Sequence, residues 1–445
     1  MANESIFKNL ATVTENPNML TFQLSPTHVS YANTLRRTIL IGVESVAFRS
    51  DMNEKGETSD VTVLENTTPM TNEMLADRIG LIPIHADPDT WNPDDYKFEL
   101  QIQNETSDTL PVTAGDFVVR KRGDDANPLV PNKDFFHPNP VSGDTALIAL
   151  LKGKQPSQAG QKIHLIAKAS VGTGRDHIRF SPVCQCSYGY TVDPDETRQR
   201  EQFEKWLSAS KKKDPKELKE NKALEEVLMR EFQTMEVQRC FMIDPRTGEP
   251  NSFDFVIETV GVQSVERIVE RALKNIETKL AKYSNLDKQA PETVTILPAD
   301  ARMKGYDFIF RYEDHTLGNL LQTYMEQTMM GSDVSFVGYK VPHPLRDEMV
   351  LRVGVNFPLD PEKDGKENTA RVAVAKAAKE CSGMFAKWRE DWMRAINRGK
   401  GSRNLKSLRL TAENARAVAQ AASLAEQVST KQPSSKQPTA KVAVK

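Results

Sequence analysis

One short unit occurs twice in this chain and constrains its fold more than any other feature. The first copy runs from the strand-like Leu20-Thr21-Phe22-Gln23-Leu24 through Ser25-Pro26-Thr27-His28 into Val29-Ser30-Tyr31-Ala32-Asn33-Thr34-Leu35-Arg36-Arg37-Thr38-Ile39-Leu40. It opens with a capping residue and a proline in the first helical turn. Ala32, Leu35, Ile39 and Val43 then recur at helical spacing and give one apolar face. The second copy is the alternating strand Tyr306–Tyr312 followed by Glu313-Asp314-His315-Thr316-Leu317-Gly318-Asn319-Leu320-Leu321. Leu317, Leu320, Leu321 and Tyr324 again share one side of a helix. Both copies read strand, capped turn, small residue, Asn, any residue, Leu. Two related units in one chain suggest a pseudo-twofold dimer folded from a single polypeptide. Ala32 and Gly318 carry little side chain, so another helix can approach closely there. Arg36 and Arg37 flank the apolar stripe in the first copy only. Such a pair can fork onto a partner's carboxylates or carbonyls, or stand solvated on an exposed face, and the residues alone leave both open.

Composition narrows the function classes. A chain of 445 residues is expected to hold roughly two to three domains. Its formal charge of −2 supplies no global field for nucleic acid or an acidic membrane. From Lys400 onward, however, Lys400, Arg403, Lys406, Arg409, Arg416, Lys431, Lys436, Lys441 and Lys445 face only Glu413 and Glu426, which reads as a flexible polar tail. The start of the chain lacks a signal-peptide pattern, and no run is apolar enough to span a bilayer. Of Cys184, Cys186, Cys240 and Cys381, the first two alone are close, and nothing completes a zinc spacing. The expectation is a soluble protein of a reducing, intracellular compartment.

In chain order, Val61–Glu65 reads as a strand, and Met70–Ile79 as an amphipathic helix closed by Gly80. Short β-like runs at Lys97–Ile102, Phe117–Val119 and Ile163–Ala167, separated by turn signals, read as a β-rich insertion. Asp193–Val237 is dominated by charge and reads as one or two surface helices. Ser252–Glu258 is an alternating strand. From Ser264, Val265, Ile268, Val269, Ala272, Leu273, Ile276 and Leu280 form the chain's strongest helical stripe. A last helix, roughly Thr369–Asn397, carries Phe385, Trp388, Trp392 and Ile396 on one face. Two such stripes can bury each other.

Three motifs appear in order: Ala32-Asn33-Thr34-Leu35-Arg36-Arg37, Leu75-Ala76-Asp77-Arg78-Ile79-Gly80-Leu81-Ile82-Pro83-Ile84, and Gly174-Arg175-Asp176-His177-Ile178-Arg179-Phe180-Ser181-Pro182-Val183. They resemble the α-type assembly subunit of multisubunit RNA polymerase: bacterial α, archaeal D, and the third subunit of eukaryotic polymerase II. The stretch from Glu313 through Leu317-Gly318-Asn319-Leu320-Leu321 to Gly338-Tyr339-Lys340-Val341-Pro342-His343-Pro344-Leu345 resembles its smaller partner, archaeal L or the eleventh eukaryotic subunit. The resemblance covers roughly residues 15 to 395 and looks like the fusion found in certain large DNA viruses of eukaryotes. It implies an α+β fold of two α-subunit-type dimerisation units forming an intrachain pseudo-heterodimer, with a β-rich domain inserted in the first. The divisions expected are 1–86 and 238–284 for the first unit, 87–192 for the β-rich insertion, 193–237 for the charged helical insertion, 285–298 for a linker, 299–398 for the second unit and 399–445 for the tail.

The resemblance further implies a non-catalytic scaffold that docks the largest (β′-like) and second-largest (β-like) polymerase subunits, with a small zinc-ribbon-type subunit nearby and DNA or RNA reached only through the complex. Asn33, Arg36 and Arg37 would face the β-like subunit. Intrachain dimerisation would use Leu35, Ile39, Ile268, Ala272, Leu273, Ile276, His315, Leu317, Gly318, Asn319, Leu320, Leu321, Trp388 and Trp392. A viral origin would add the virion and the host cytoplasm or nucleus. Departures from the family pattern are also visible. No cysteine falls between His85 and Tyr96, so no metal is expected there, and Cys184 with Cys186 cannot hold an iron–sulfur cluster alone. No cofactor and no catalytic residue are expected: Gly172-x-Gly174 reads as a β-turn, the histidines are scattered, and no Asp-x-Asp-x-Asp run occurs. The rival reading is a free-standing nucleic-acid binder using the basic tail.

Overall fold

The computed structural model describes residues 5–13, 16–51, 60–122, 128–213, 222–300, 303–332, 334–356 and 369–398. The expected tail, 399–445, lies outside them. The described residues up to Trp392 form one compact unit, and the described residues 393–398, which are helical, fall to a second. The helices are α1 (Val29–Ile41), α2 (Asn72–Gly80), α3 (Glu196–Trp206), α4 (Lys222–Met235), α5 (Val265–Ala281), α6 (His315–Met329) and α7 (residues 369–398).

Local chemistry sets the helix starts. Thr71, Asp195, Ser264 and Asp314 cap α2, α3, α5 and α6 by accepting a backbone N–H on the side-chain oxygen. At α1 the cap is His28, whose Nδ1 accepts from the Ser30 N–H at 3.2 Å. Ser25 and Pro26 therefore precede the helix instead of opening it. The cause is tertiary: the Thr27 N–H is bonded to the Asn251 carbonyl at 2.9 Å, which holds the entering chain extended. Gly80 is the last helical residue of α2, but closure of the helix is not what requires glycine. A Cβ there would run into the Arg179 guanidinium and the Phe48 carbonyl.

Two four-stranded antiparallel sheets organise the chain. The first has the spatial order Phe7–Thr12, Met19–Leu24, Phe253–Thr259, Val183–Tyr190; the second has Val294–Pro298, Gly305–Arg311, Glu348–Val355, Val334–Lys340. In each, the first two strands in sequence are neighbours, and a helix (α1 or α6) follows the second. The third strand lands at the far edge, the fourth returns to the middle, and a long helix (α5 or α7) follows. Strand order and helix placement thus repeat. α1 packs on α5, α6 and strand Val183–Tyr190, and α6 lies on the two strands Val334–Lys340 and Glu348–Val355. The 285–298 segment is only partly a linker, because Val294–Pro298 is the edge strand paired with Gly305–Arg311.

The β-rich module inserted between α1 and strand Phe253–Thr259 is a five-stranded sheet ordered Val61–Asn66, Lys162–Ala167, Tyr96–Gln103, Val118–Lys121, Leu129–Val130, with the pair Leu110–Thr113 and Leu147–Leu151 beside it. Its centre is aromatic: Phe48, Phe98, Phe117, Phe135 and Phe136 stack or meet edge to face. The pairing draws the module differently from 87–192. Val61–Asn66 and α2 belong to its sheet and core, whereas Val183–Tyr190 is hydrogen-bonded to Phe253–Thr259 in the first four-stranded sheet. α3 and α4 bury Phe203, Trp206, Leu207, Leu228 and Phe232 against one another and form a small cluster of their own.

Candidate functional site

The two repeats meet through helices, and the contact is built from buried polar groups as well as apolar ones. On α1, the hydroxyl of the buried Ser30 receives hydrogen bonds from Asn319 Nδ2 at 3.1 Å and Thr323 Oγ1 at 2.8 Å, both on α6. Tyr31 Oη donates to Gln327 Oε1 at 3.4 Å. Buried polar atoms without partners cost free energy, so these bonds fix which faces of α1 and α6 meet. Around them Leu35 and Ile39 of α1, and Leu317, Leu320 and Leu321 of α6, are buried.

The start of α6 is held by charges from the first repeat. Arg37 donates through Nε to Thr316 Oγ1 at 2.7 Å, and its guanidinium pairs with Asp314 at 3.3 Å. Burial opposes ionisation of Asp314, but the bonds from Thr316 and the Arg37 charge prevail and hold its carboxyl below the usual range. Beside it, the Glu313 carboxylate accepts from Lys279 Nζ at 3.0 Å and Tyr283 Oη at 3.1 Å. Burial, then the Glu313 charge, push the Tyr283 phenol up. A cavity of about 90 Å³ remains among these groups, walled by Ile41, Ile276, Leu280, Leu317 and Leu320. Ile268, Ala272, Leu273 and Ile276 form the buried face of α5, which packs on α1 and strand Phe253–Thr259.

α7 supplies the reciprocal contact. Trp392 is fully buried, with ring centroids 5.0 Å from Phe7 and 5.2 Å from Phe22, and its indole N–H donates to the Glu266 carbonyl at 3.0 Å. Trp388 meets Phe7 edge to face at 6.3 Å. Arg389 Nε donates to Glu277 at 3.1 Å, and Asp391 accepts from the Ser5 hydroxyl at 2.7 Å and the Ile6 N–H at 2.9 Å.

Three residues singled out in the sequence stand in different company from that expected. Arg37, expected to face a separate subunit, is engaged inside the chain by Asp314 and Thr316, because the start of α6 lies within its reach. Gly318 admits no second helix: the Tyr339 ring of its own repeat occupies the space a Cβ would need. His315 is exposed and meets Tyr339 Oη at 3.3 Å, also within its own repeat. Asn33 remains with Arg36, accepting from its Nε at 3.0 Å. Ser30, Thr323, Glu313, Lys279 and Tyr283 were not singled out. Polar residues inside an apolar stripe are a sequence signal for such buried bonds, but their partners are set by the packing.

Among the described residues no group of three or more His, Cys, Asp and Glu side chains stands close enough to hold a metal, and no helix is long and apolar enough to cross a membrane. The four cysteines are free thiols, and burial pushes Cys186 and Cys381 up to about 12. The geometry is that of a packed contact between helices of one chain.

Comparison with known proteins matches that geometry. The family model described as the RNA polymerase Rpb3/Rpb11 dimerisation domain matches residues 21–280, and a second model of the same description matches 306–391. The "Conjugation stage-specific protein" of Tetrahymena thermophila is 28% identical over 191 residues, covering 39% of this chain and 56% of that protein. The rpac1 subunit of DNA-directed RNA polymerases I and III from Dictyostelium discoideum is 26% identical over 191 residues, 40% of this chain and 50% of that subunit. The Rpo3 subunit of DNA-directed RNA polymerase from Pyrococcus horikoshii is 27% identical over 277 residues, 60% of this chain and 92% of that subunit. The chain thus spans about half the length of the first two relatives and most of the third. With the match over residues 21–280 taking in more than half of its length, the chain belongs to the family of the RNA polymerase Rpb3/Rpb11 dimerisation domain.

Proposed function

We propose that this chain is a non-catalytic assembly subunit of a multisubunit DNA-directed RNA polymerase, in which one polypeptide supplies both members of an Rpb3/Rpb11-type pair. The observation that carries the reading is the repeat itself. The same strand order and helix placement occur twice, each copy overlaps a match to the dimerisation domain, and helices from the two copies bury one another. Tertiary contacts within one chain take the place of association between two, so the pair forms without the entropic cost of bringing two molecules together.

In this reading the two halves offer different outward faces. The largest (β′-like) and second-largest (β-like) subunits dock on them, with a small zinc-ribbon-type subunit nearby, and DNA and RNA are met only through the complex. Asn33 and Arg36 keep the role of facing the β-like subunit, while Arg37 serves the intrachain contact. Origin in a large DNA virus, with the protein in the virion and the host cell, belongs to the same proposal. The test is affinity purification of the tagged full chain from its native source, with mass spectrometry of what accompanies it. Two large polymerase subunits in equal amounts support the reading. Recovery of the chain alone, or with nucleic acid only, overturns it in favour of a free-standing nucleic-acid binder.

A further inference from the structure

Both four-stranded sheets end in open edges, and an open edge presents unpaired N–H and C=O groups that proteins commonly blunt with short length, charge, proline or a bulge. Three of the four edges here are blunted. Phe7–Thr12 carries Lys8, a register break between Lys8 and Ala11, and Asn9 at φ +51°. Val294–Pro298 is five residues long and ends in proline. Val334–Lys340 ends in lysine, a charge the remaining edge lacks.

Val183–Tyr190 is the exception. It is eight residues long and reads Val-Cys-Gln-Cys-Ser-Tyr-Gly-Tyr, with neither charge nor proline, and its register irregularity is confined to the Val183/Gln185 end. Its inner edge pairs with Phe253–Thr259 along its length; among the described residues no strand pairs with its outer edge. α1 packs across this strand and brings the positive charge of Arg36 to Cys186 and Tyr188. Arg36 is half-buried, its Nε is bonded to Asn33 Oδ1, and no described carboxylate forms an ion pair with it.

We propose that the outer edge of Val183–Tyr190 takes up an extended segment of a partner polypeptide as a fifth strand, with an acidic side chain of that segment on Arg36. Main-chain bonds along the edge would give the affinity, and the Arg36–carboxylate contact the register and choice of partner. A nucleic acid strand could offer phosphates to Arg36 but would leave the row of strand N–H and C=O groups unmatched. A second copy of this chain fits poorly, since the strand holds no carboxylate and self-pairing would bring two Arg36 charges together. The inference rests on the assembly-subunit reading, in which that partner is a polymerase subunit.

Hydrogen exchange of the full chain, isolated and in the complex recovered by affinity purification, tests this. Alternate amides of 183–190 are expected to slow by about tenfold in the complex. Arg36→Glu in the full chain is expected to lower capture of the pairing partner by about tenfold, with Arg36→Lys recovering part of it. Equal exchange at 183–190 in both states, or protection already present in the isolated chain and rising with its concentration, overturns the proposal. The two readings fail separately. Absence of polymerase subunits from the purified complex refutes the function, whereas polymerase subunits without protection at 183–190 refute only the strand pairing.

Discussion

Replacing Trp392 with alanine isolates the contact that closes the second repeat onto the first. The side chain is fully buried against Phe7 and Phe22 of the first sheet, and its N–H is taken by the Glu266 carbonyl at the start of α5. Truncating a buried tryptophan costs about 3–5 kcal/mol through lost transfer energy and the cavity left behind. Trp392→Phe keeps most of the ring packing and removes the hydrogen bond, for about 1 kcal/mol. Since a whole protein of this kind is stable by about 5–15 kcal/mol, the alanine variant loses a large fraction of the total. Chemical unfolding followed by circular dichroism measures both variants. Amide exchange then shows where the loss falls: strands Phe7–Thr12 and Met19–Leu24 should lose protection along with α7. The reasoning is refuted if Trp392→Ala unfolds within about 1 kcal/mol of the parent, or if α7 loosens while the first sheet keeps its protection.

Three further outcomes follow from the same contacts. Ser30→Ala strands the Asn319 amide and the buried Thr323 hydroxyl and is expected to cost about 1–3 kcal/mol; in a double-mutant cycle with Thr323→Val the effects should be non-additive, and strict additivity would mean that the hydroxyl pair is not coupled. Glu313→Gln removes the charge that Lys279 and Tyr283 share, at a cost of about 1–2 kcal/mol, discounted from the fully buried case because Lys279 is 41% exposed; a stability unchanged in urea unfolding would contradict that. His85 stacks on His137 at 3.6 Å, and burial holds its pKa below the ordinary histidine value while the Phe135 carbonyl pulls the other way. The folded chain then binds fewer protons than the unfolded chain, so the stability His85 contributes is whole above a pH of about 6.5 and falls as pH drops from there through its lowered folded value. His85→Gln should flatten that part of the stability–pH curve, and an unchanged slope would assign it elsewhere.

The repeat was legible because its signal is local. Strand alternation at Tyr306–Arg311, the α5 stripe and the Phe385/Trp388/Trp392 face each follow from periods of two or about 3.6 residues. What the sequence hid is pairing at long range. Val61–Asn66 and Val183–Tyr190 both form strands, yet one joins the inserted module and the other crosses back to the first sheet, a choice made by partners far away in the chain. Arg37 was readable as a cation beside an apolar stripe, but its partner Asp314 stands 277 residues away. Small size at Gly318 was readable too; that an aromatic ring of the same repeat occupies the space, and not a helix of the other, depends on the strand Val334–Lys340. Ser30 drew no notice because a lone serine on a helix gives no sign of which acceptors and donors will face it.

The central claim is that the two dimerisation units satisfy each other within one chain. Sedimentation equilibrium of the isolated full chain at micromolar concentration tests it most directly. Monomers of 49.9 kDa across the concentration range are the result this account predicts. A stable dimer of about twice that mass, dissociating on dilution, would show units that look for partners outside the chain and would contradict it.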